Sequence, residues 1–325
     1  MERVEHQKVR ELDFRKEDRK YLHSNADIKS LYSKKFVNGK KIIDVLYTHD
    51  SYGFRKYSRP TNPAATSHLL LGGCSFTYGH GLKDEETFAY KLMLAQEGSQ
   101  VLNMGLPGTT VKEQIFLWEH YNFKERVRLR EGLYIYTIFN DHLNRTNNNF
   151  DYLTWAPKNS PVYEERDGAL KLVDTISTQK SYQWMQFLKS IHLDGLWVRV
   201  SSVFESLGRK SDIEELVSHI SYLKTLYLKQ FPGGRFIVTE MAPFMALTQN
   251  EDRDYLISKL KNAGITFWEN HSIVTPPREE SLFSSDTPKE TPKEYIIEGD
   301  GHPSGKLNSI YANFLNLKIK SLKEN

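Results

Sequence analysis

A serine placed to act as a nucleophile stands at Ser75, within Gly73-Cys74-Ser75-Phe76-Thr77-Tyr78-Gly79. It follows the apolar run Leu69-Leu70-Leu71 and precedes Gly81, Asp84 and a periodic segment over Glu85–Leu94. That order reads as strand, glycine-bounded turn and helix, which pushes a serine out of a sheet edge toward a substrate. Attack on an ester needs a base for the hydroxyl proton, a group that orients the base, and donors for the developing oxyanion. Near neutral pH the base is an imidazole. Among 11 histidines, His302 is singled out by Gly299-Asp300-Gly301-His302-Pro303-Ser304, a glycine-rich turn before the last amphipathic segment. Asp300 can reach the imidazole Nδ1, hold its tautomer and stabilise the imidazolium. The same turn also reads as a helix entry, capped by Asp300 or Ser304 with Pro303 at its start.

Three groups are candidate oxyanion donors: the Ser75 N–H, the Gly105 N–H in Asn103-Met104-Gly105-Leu106-Pro107-Gly108, and the Asn140 side-chain amide in Ile138-Phe139-Asn140-Asp141. Glycine permits close approach at 105. Gly105 and Gly108 can equally shape a strand-to-helix turn, and Asn140 can end a strand by bonding its own backbone. Neighbouring side chains at a strand end point opposite ways, so Cys74 reads as a small buried residue and not as a thiol nucleophile. Thr77 stands where the α/β-hydrolase elbow has its second glycine, and no Gly-Lys-Ser/Thr ending marks a phosphate loop. Arg145 could pair with an anionic substrate group or with a nearby carboxylate. Trp155 and Tyr152 could stack on a sugar ring or form a local core. His80 and His142, close to these blocks, could contact substrate, although they read more readily as surface or structural residues. No His-x-x-x-His or paired-cysteine spacing appears, so neither a metal nor a cofactor is expected.

Strand-like runs that would position these residues fall at Ser67–Cys74, Gln100–Met104, Gly132–Phe139, Arg235–Glu240 and Gly264–Trp268. Between and after them lie helix-like segments at Glu85–Ala95, Thr109–Arg126, Asp212–Gln230, Asp252–Asn262 and Ser304–Leu317. Short apolar strands alternating with amphipathic helices predict a parallel sheet covered on both faces. Ligands of such sheets bind beyond the carboxyl ends of the strands, where Ser75, Gly105 and Asn140 would converge. The alternation breaks over about 141–211, an insertion holding a helix near Ser181–His192 that reads as a lid or as a packing unit. Residues 1–40 read as charged and peripheral, with a helix over Arg10–Lys20. Lys41–Tyr47 reads as a strand, and Arg278–Thr291 as an exposed loop. The expected layout is an extension over 1–66 packed on a domain over 67–325.

The chain has 325 residues, enough for one large α/β domain or two smaller ones. Lys+Arg 44 against Asp+Glu 41 leaves +3, too little for a nucleic-acid footprint. One cysteine allows no internal disulfide. No run approaches the ~20 apolar residues of a membrane span, and Met1-Glu2-Arg3-Val4-Glu5 lacks the apolar stretch of a signal peptide. As written, the chain reads as cytoplasmic; an upstream segment in a longer protein would make it exported or membrane-anchored.

The ordered set Gly72-Gly73-Cys74-Ser75-Phe76-Thr77-Tyr78-Gly79, Asn103-Met104-Gly105, Phe139-Asn140-Asp141 and Asp300-Gly301-His302-Pro303 resembles the four blocks of the SGNH (GDSL-like) hydrolases. The match runs from about Ser67 to Leu317. The resemblance implies a flavodoxin-like three-layer α/β/α sandwich with a central five-stranded parallel sheet. It implies metal-free hydrolysis of small acyl esters, an O-acetyl carbohydrate being the leading case. Ser75 would carry the acyl group, His302 would be the base and Asp300 its partner, while Ser75, Gly105 and Asn140 would form the oxyanion hole. Acyl transfer to a sugar hydroxyl and a non-catalytic binding module are the alternatives on the same scaffold. Two departures stand out. Cys74 replaces the aspartate of Gly-Asp-Ser, and Gly299 occupies the commoner acid position, three residues before the histidine. Asp300 is therefore assigned, with Glu298 as the runner-up.

Overall fold

Five apolar segments pair side by side as one parallel sheet: β5 (Ser67–Gly72), β6 (Ser99–Asn103), β7 (Glu131–Ile138), β10 (Gly233–Glu240) and β11 (Thr266–Trp268), in the order β11-β10-β7-β5-β6. The computed structural model describes residues 2–10, 28–50, 52–58, 62–205, 209–241, 250–270 and 293–324. Side chains alternate across the sheet. Leu70, Leu102, Tyr134, Tyr136 and Val238 pack on one face against α3 (Val111–His120), α9 (Arg209–Gln230) and α10 (Asn250–Asn262). Leu69, Leu71, Ile135 and Ile237 pack on the other against α2 (Phe88–Ala95) and α11 (Gly305–Glu324). The architecture is the expected three-layer α/β/α sandwich. From β5 the chain moves outward to β6, then returns to the far side of β5 for β7. This reversal of strand order marks where a doubly wound sheet opens a crevice, and Ser75 and Asn140 follow its two flanking strands.

Local chemistry sets the helix boundaries. Thr87 accepts from the Tyr90 N–H and starts α2 behind a 3-10 turn over Asp84–Glu86. Thr110 and Glu113 form a reciprocal capping box at the start of α3. The single helix expected over Thr109–Arg126 is broken: Asn122 caps a separate turn, α4 (Phe123–Arg126), by accepting from Lys124 N–H.

Before Ser67, the strand expected over Lys41–Tyr47 is present within Lys40–His49, but the segment ahead of it differs from expectation. β1 (Glu2–Arg10), β2 (Ile28–Val37), β3 (Lys40–His49) and β4 (Arg55–Lys56) form an antiparallel sheet in that order. The expected helix begins on Arg10, the last residue of β1, and its remainder lies outside the described residues. Ile43, Val45 and Tyr47 of β3 are buried while Leu46 is exposed, so the inward face packs on Tyr78 beside the Ser75 turn. Tyr47 Oη accepts from the Gly81 N–H at 2.7 Å, and His49 Nε2 bonds Tyr78 Oη at 2.7 Å.

Between β7 and α9 lie α5 (Asn140–Thr146), α6 (Phe150–Trp155), the hairpin β8 (Pro161–Arg166) and β9 (Ala169–Thr175), α7 (Lys180–Ser190) and α8 (Asp194–Glu205). Tyr152, Leu153, Val162, Ile176 and Met185 make a core of their own here, while Tyr163 and Leu170 join the main one. The stretch Arg278–Thr291 lies outside the described residues. Among the described residues no helix is long and apolar enough to cross a membrane.

Candidate active site

The serine is aimed by backbone geometry that only glycine adopts with ease. Gly73 has φ 147°, and a Cβ there would lie 2.2 Å from Thr77 Oγ1. The chain then makes one helical turn, α1 (Ser75–Tyr78), closed by Gly79 at φ 79° with its N–H on the Ser75 and Phe76 carbonyls. Ser75 is the first residue of that turn, so its N–H belongs to the donors that a helix leaves without an internal acceptor. Cys74 is buried with Leu71, Phe88 and Leu307, and burial pushes its thiol pKa up. It stays protonated and apolar, as its place in the chain predicts.

The second block is stitched to the first. Asn103 Nδ2 donates to the Thr77 carbonyl at 2.8 Å and to Tyr57 Oη at 2.7 Å. Its Oδ1 accepts the Gly105 N–H at 2.9 Å. Gly105 is pressed so close to the serine turn that a Cβ would fall 2.3 Å from the Tyr78 nitrogen. Close approach is thus what glycine provides at 105, and its N–H serves an oxyanion only if the bond to Asn103 is exchanged. Asn140 opens α5 directly after β7; its side chain lies outside the described part of the structure.

His302 sits in a turn closed on itself. The Asp300 and Gly301 N–H groups donate to the Ile297 carbonyl at 2.9 and 3.0 Å, and the Ile297 N–H donates to the His302 carbonyl at 2.7 Å. Ser304 Oγ accepts from the Leu307 N–H at 3.4 Å, so the turn is also a helix entry. Across 227 positions of sequence, His302 Nε2 lies 3.1 Å from Ser75 Oγ. On the other side of the ring, Nδ1 lies 2.5 Å from Asp300 Oδ1. Ser75, His302 and Asp300 therefore form one hydrogen-bonded line, while the runner-up acid Glu298 is exposed.

Asp300 Oδ2 accepts from Lys35 Nζ at 2.8 Å. Burial alone would raise the Asp300 pKa, but the hydrogen bond and charge of His302, the bond from Lys35 and the charge of His80 hold it well below the ordinary carboxylate value. The folded-state value lies below the unfolded one, so ionised Asp300 stabilises the fold above about pH 4 and that contribution drains as pH falls. Asp300→Asn is expected to flatten the loss of stability between about pH 4 and pH 2. Urea midpoints of both proteins across that range check this; parallel curves count against it.

His80 lies against His302, with ring centroids 4.5 Å apart, and stacks on Tyr47. His80, Asp300 and His302 bring potential ligand atoms within 4.8 Å of one another. Both Asp300 oxygens are already engaged, one by the ring and one by an ammonium that supplies the positive charge there. Arg145 is buried on Asp141, with Nε at 2.9 Å and Nη2 at 2.5 Å from Oδ2, and it donates to the Thr109 carbonyl at 3.2 Å. It is layered between Phe139 and Trp155. Phe139 stacks on Phe76 at 4.2 Å, and Phe76 meets His302 edge-on. That run of contacts connects half-exposed Trp155 to His302. His142 is fully buried, and burial drives its pKa well below the usual imidazole value.

Of the two neighbours of the line, His80 stands out in the sequence only as a histidine close to the serine block, and Lys35 was not legible at all. Lys35 sits in a charged stretch 265 positions from Asp300, and nothing local marks it.

No protein-family model matches this chain, and no curated protein does. Among solved structures the chain is similar to an acetyl xylan esterase from the rumen bacterium Butyrivibrio proteoclasticus, at 12% identity and TM-score 0.43, over 81% of this chain and 65% of that one. It is also similar to an acetyl-xylooligosaccharide esterase from Geobacillus, at 12% identity and TM-score 0.41, over 78% and 94% of the two chains. A third is described as a lipolytic protein of the G-D-S-L family from Desulfitobacterium hafniense, at 11% identity and TM-score 0.40, over 77% and 98%.

Proposed function

We propose that this protein is a serine esterase of the SGNH type that hydrolyses small acyl esters. The observation that carries the reading is the line from Ser75 Oγ through the His302 ring to Asp300, at 3.1 and 2.5 Å. As His302 Nε2 takes the hydroxyl proton, Ser75 Oγ attacks the carbonyl carbon. The imidazolium gains its stabilisation from Asp300, and its proton then goes to the departing alcohol. Water attacks the acyl-enzyme with His302 again as base, releasing the acid and restoring Ser75. The Ser75 N–H, the Gly105 N–H and the Asn140 amide are the proposed oxyanion donors; losing one such donor costs about 100- to 1,000-fold in turnover.

The alcohol side is read as a carbohydrate. Trp155, 44% exposed, offers a ring face at the end of the contacts running from His302, with Arg145 beneath it to hold its plane. Hydrolysis is favoured over acyl transfer because the His302 side chain is 26% exposed, so water reaches the base. The test compares wild type with Ser75→Ala on 4-nitrophenyl acetate and labels both with a fluorophosphonate. Wild type is expected to turn over and to be labelled at Ser75, and the variant to do neither. Equal rates in the two proteins would overturn the reading.

A further inference from the structure

We infer that Lys35 is a positioning residue of this site: its ammonium fixes the Asp300 carboxylate against the His302 ring and draws on the charge that would otherwise stabilise the imidazolium. The inference rests on reading Ser75 and His302 as nucleophile and base.

Lys35 lies on the inward face of β2, in step with Ser33, which is buried. A lysine on such a face is unfavourable unless it is paired. Its side chain is 14% exposed and that of Asp300 only 3%. The two meet at 2.8 Å. A carboxylate turns easily about its last torsion, which has broad preferences. With Oδ1 on His302 and Oδ2 on Lys35, both ends of the Asp300 carboxylate are fixed.

The strand is shaped for this contact. The β2–β3 register slips between Lys35, opposite Ile43, and Phe36, opposite Lys41. The extra residue is Ile42, and such a bulge re-aims the side chains around it. A Cβ on Gly299 would lie 3.5 Å from Ile42 Cδ1 and 3.3 Å from Val37 Cγ2, so the turn bearing Asp300 rests on the bulged ribbon. Ile297 of the same turn packs with Ile43, Val45 and Tyr47.

Among the described residues, few charged and titratable groups surround the ring. Asp300 comes from its own turn, Ser75 from α1, His80 from just beyond α1, Lys35 from β2 and Tyr47 from β3. Lys35 brings an ammonium to the carboxylate. Removing it leaves more of the Asp300 charge to the imidazolium, which favours the protonated ring. The rising limb of kcat/KM against pH then moves to higher pH. A purely structural role predicts the reverse: a loosened Asp300 stabilises the imidazolium less, and the limb moves down or stays.

The experiment measures kcat and the pH profile of kcat/KM on 4-nitrophenyl acetate for wild type, Lys35→Met, Lys35→Gln and Lys35→Arg, with Ser75→Ala alongside. Circular dichroism shows that each variant is folded. Lys35→Met is expected to lose about ten- to a hundredfold in kcat and to raise the limb by about 0.5–1 pH unit. Lys35→Gln, which keeps a donor without charge, is expected to raise the limb equally with a smaller loss in kcat. Lys35→Arg is expected to keep the limb and most of kcat. An unmoved or lowered limb in Lys35→Met, or Lys35→Arg behaving as Lys35→Met, overturns the inference. Should turnover depend on Ser75 but not on residue 35, the Lys35 assignment alone falls; should it not depend on Ser75, the nucleophile reading falls and Lys35 with it.

Discussion

His302→Ala is expected to lower kcat on a short-chain ester by about four to six orders of magnitude, and Ser75→Ala/His302→Ala is expected to be no slower than either single variant. The hydroxyl is a poor nucleophile until a base accepts its proton, and the only imidazole nitrogen on Ser75 Oγ among the described residues is His302 Nε2, at 3.1 Å. Once either partner is gone the other has nothing to act on, so the losses do not add. What remains comes from binding and oxyanion donors alone. Steady-state rates of the two singles and the double, with folding checked by circular dichroism, measure this. If the losses in the double multiply, serine and histidine act independently and the proposed line is not the working unit. His80, 4.5 Å from His302 by ring centroid, is the built-in control: a substitute base there would appear as high residual turnover in His302→Ala.

The second large effect concerns stability. Arg55→Met is expected to cost about 3–5 kcal/mol, the range for breaking a buried charged pair from one side, out of a total of about 5–15 kcal/mol for a folded protein. The Arg55 side chain is fully buried. It donates to the carbonyls of Tyr78, Gly79 and Leu82 at 3.1, 2.7 and 2.8 Å and to Asp84 Oδ1 from Nε and Nη2. It also lies over the rings of Tyr47, Tyr57 and Tyr78. The Tyr78 and Gly79 carbonyls end the turn that starts with Ser75 and the Leu82 carbonyl lies just beyond it, so methionine removes the fork that ties this segment together. Lysine at 55 should not rescue, because one ammonium cannot reproduce the planar fork. Urea midpoints of Arg55→Met and Arg55→Lys decide it; a loss below about 1 kcal/mol in either would show that water replaces the fork.

Much of the sandwich was readable because its residues report their own surroundings. Leu69-Leu70-Leu71 divides between two cores, as a strand buried on both faces must. Ser75, Gly105 and Asn140 each stand just beyond a strand, and β7, β5 and β6 are neighbours in the sheet. The first strands were missed for a physical reason: β1 and β2 are rich in charge and their pairing is non-local. A local signal did exist. Asn38-Gly39 has φ 49° and 78°, the geometry of a tight hairpin turn between β2 and β3, and Asp167-Gly168 at 55° and 72° repeats it between β8 and β9. The Ser75–His302 contact was inferred from residue type and order. The Lys35–Asp300 pair left no trace, because nothing in a charged segment tells which lysine turns inward.

The span between the two halves of the proposed site also bears on how the protein is made. Ser75 leaves the ribosome 227 residues before His302. Phe88 N–H waits 220 residues for Asn308 Oδ1, and Gln96 as many for Asn316. Synthesis proceeds from the N-terminus at about 5–20 residues per second, so the serine turn exists for about 10–50 s before its base is available. On the proposed mechanism, a growing chain would be inert toward esters until the turn bearing His302 has been made and has met the serine turn.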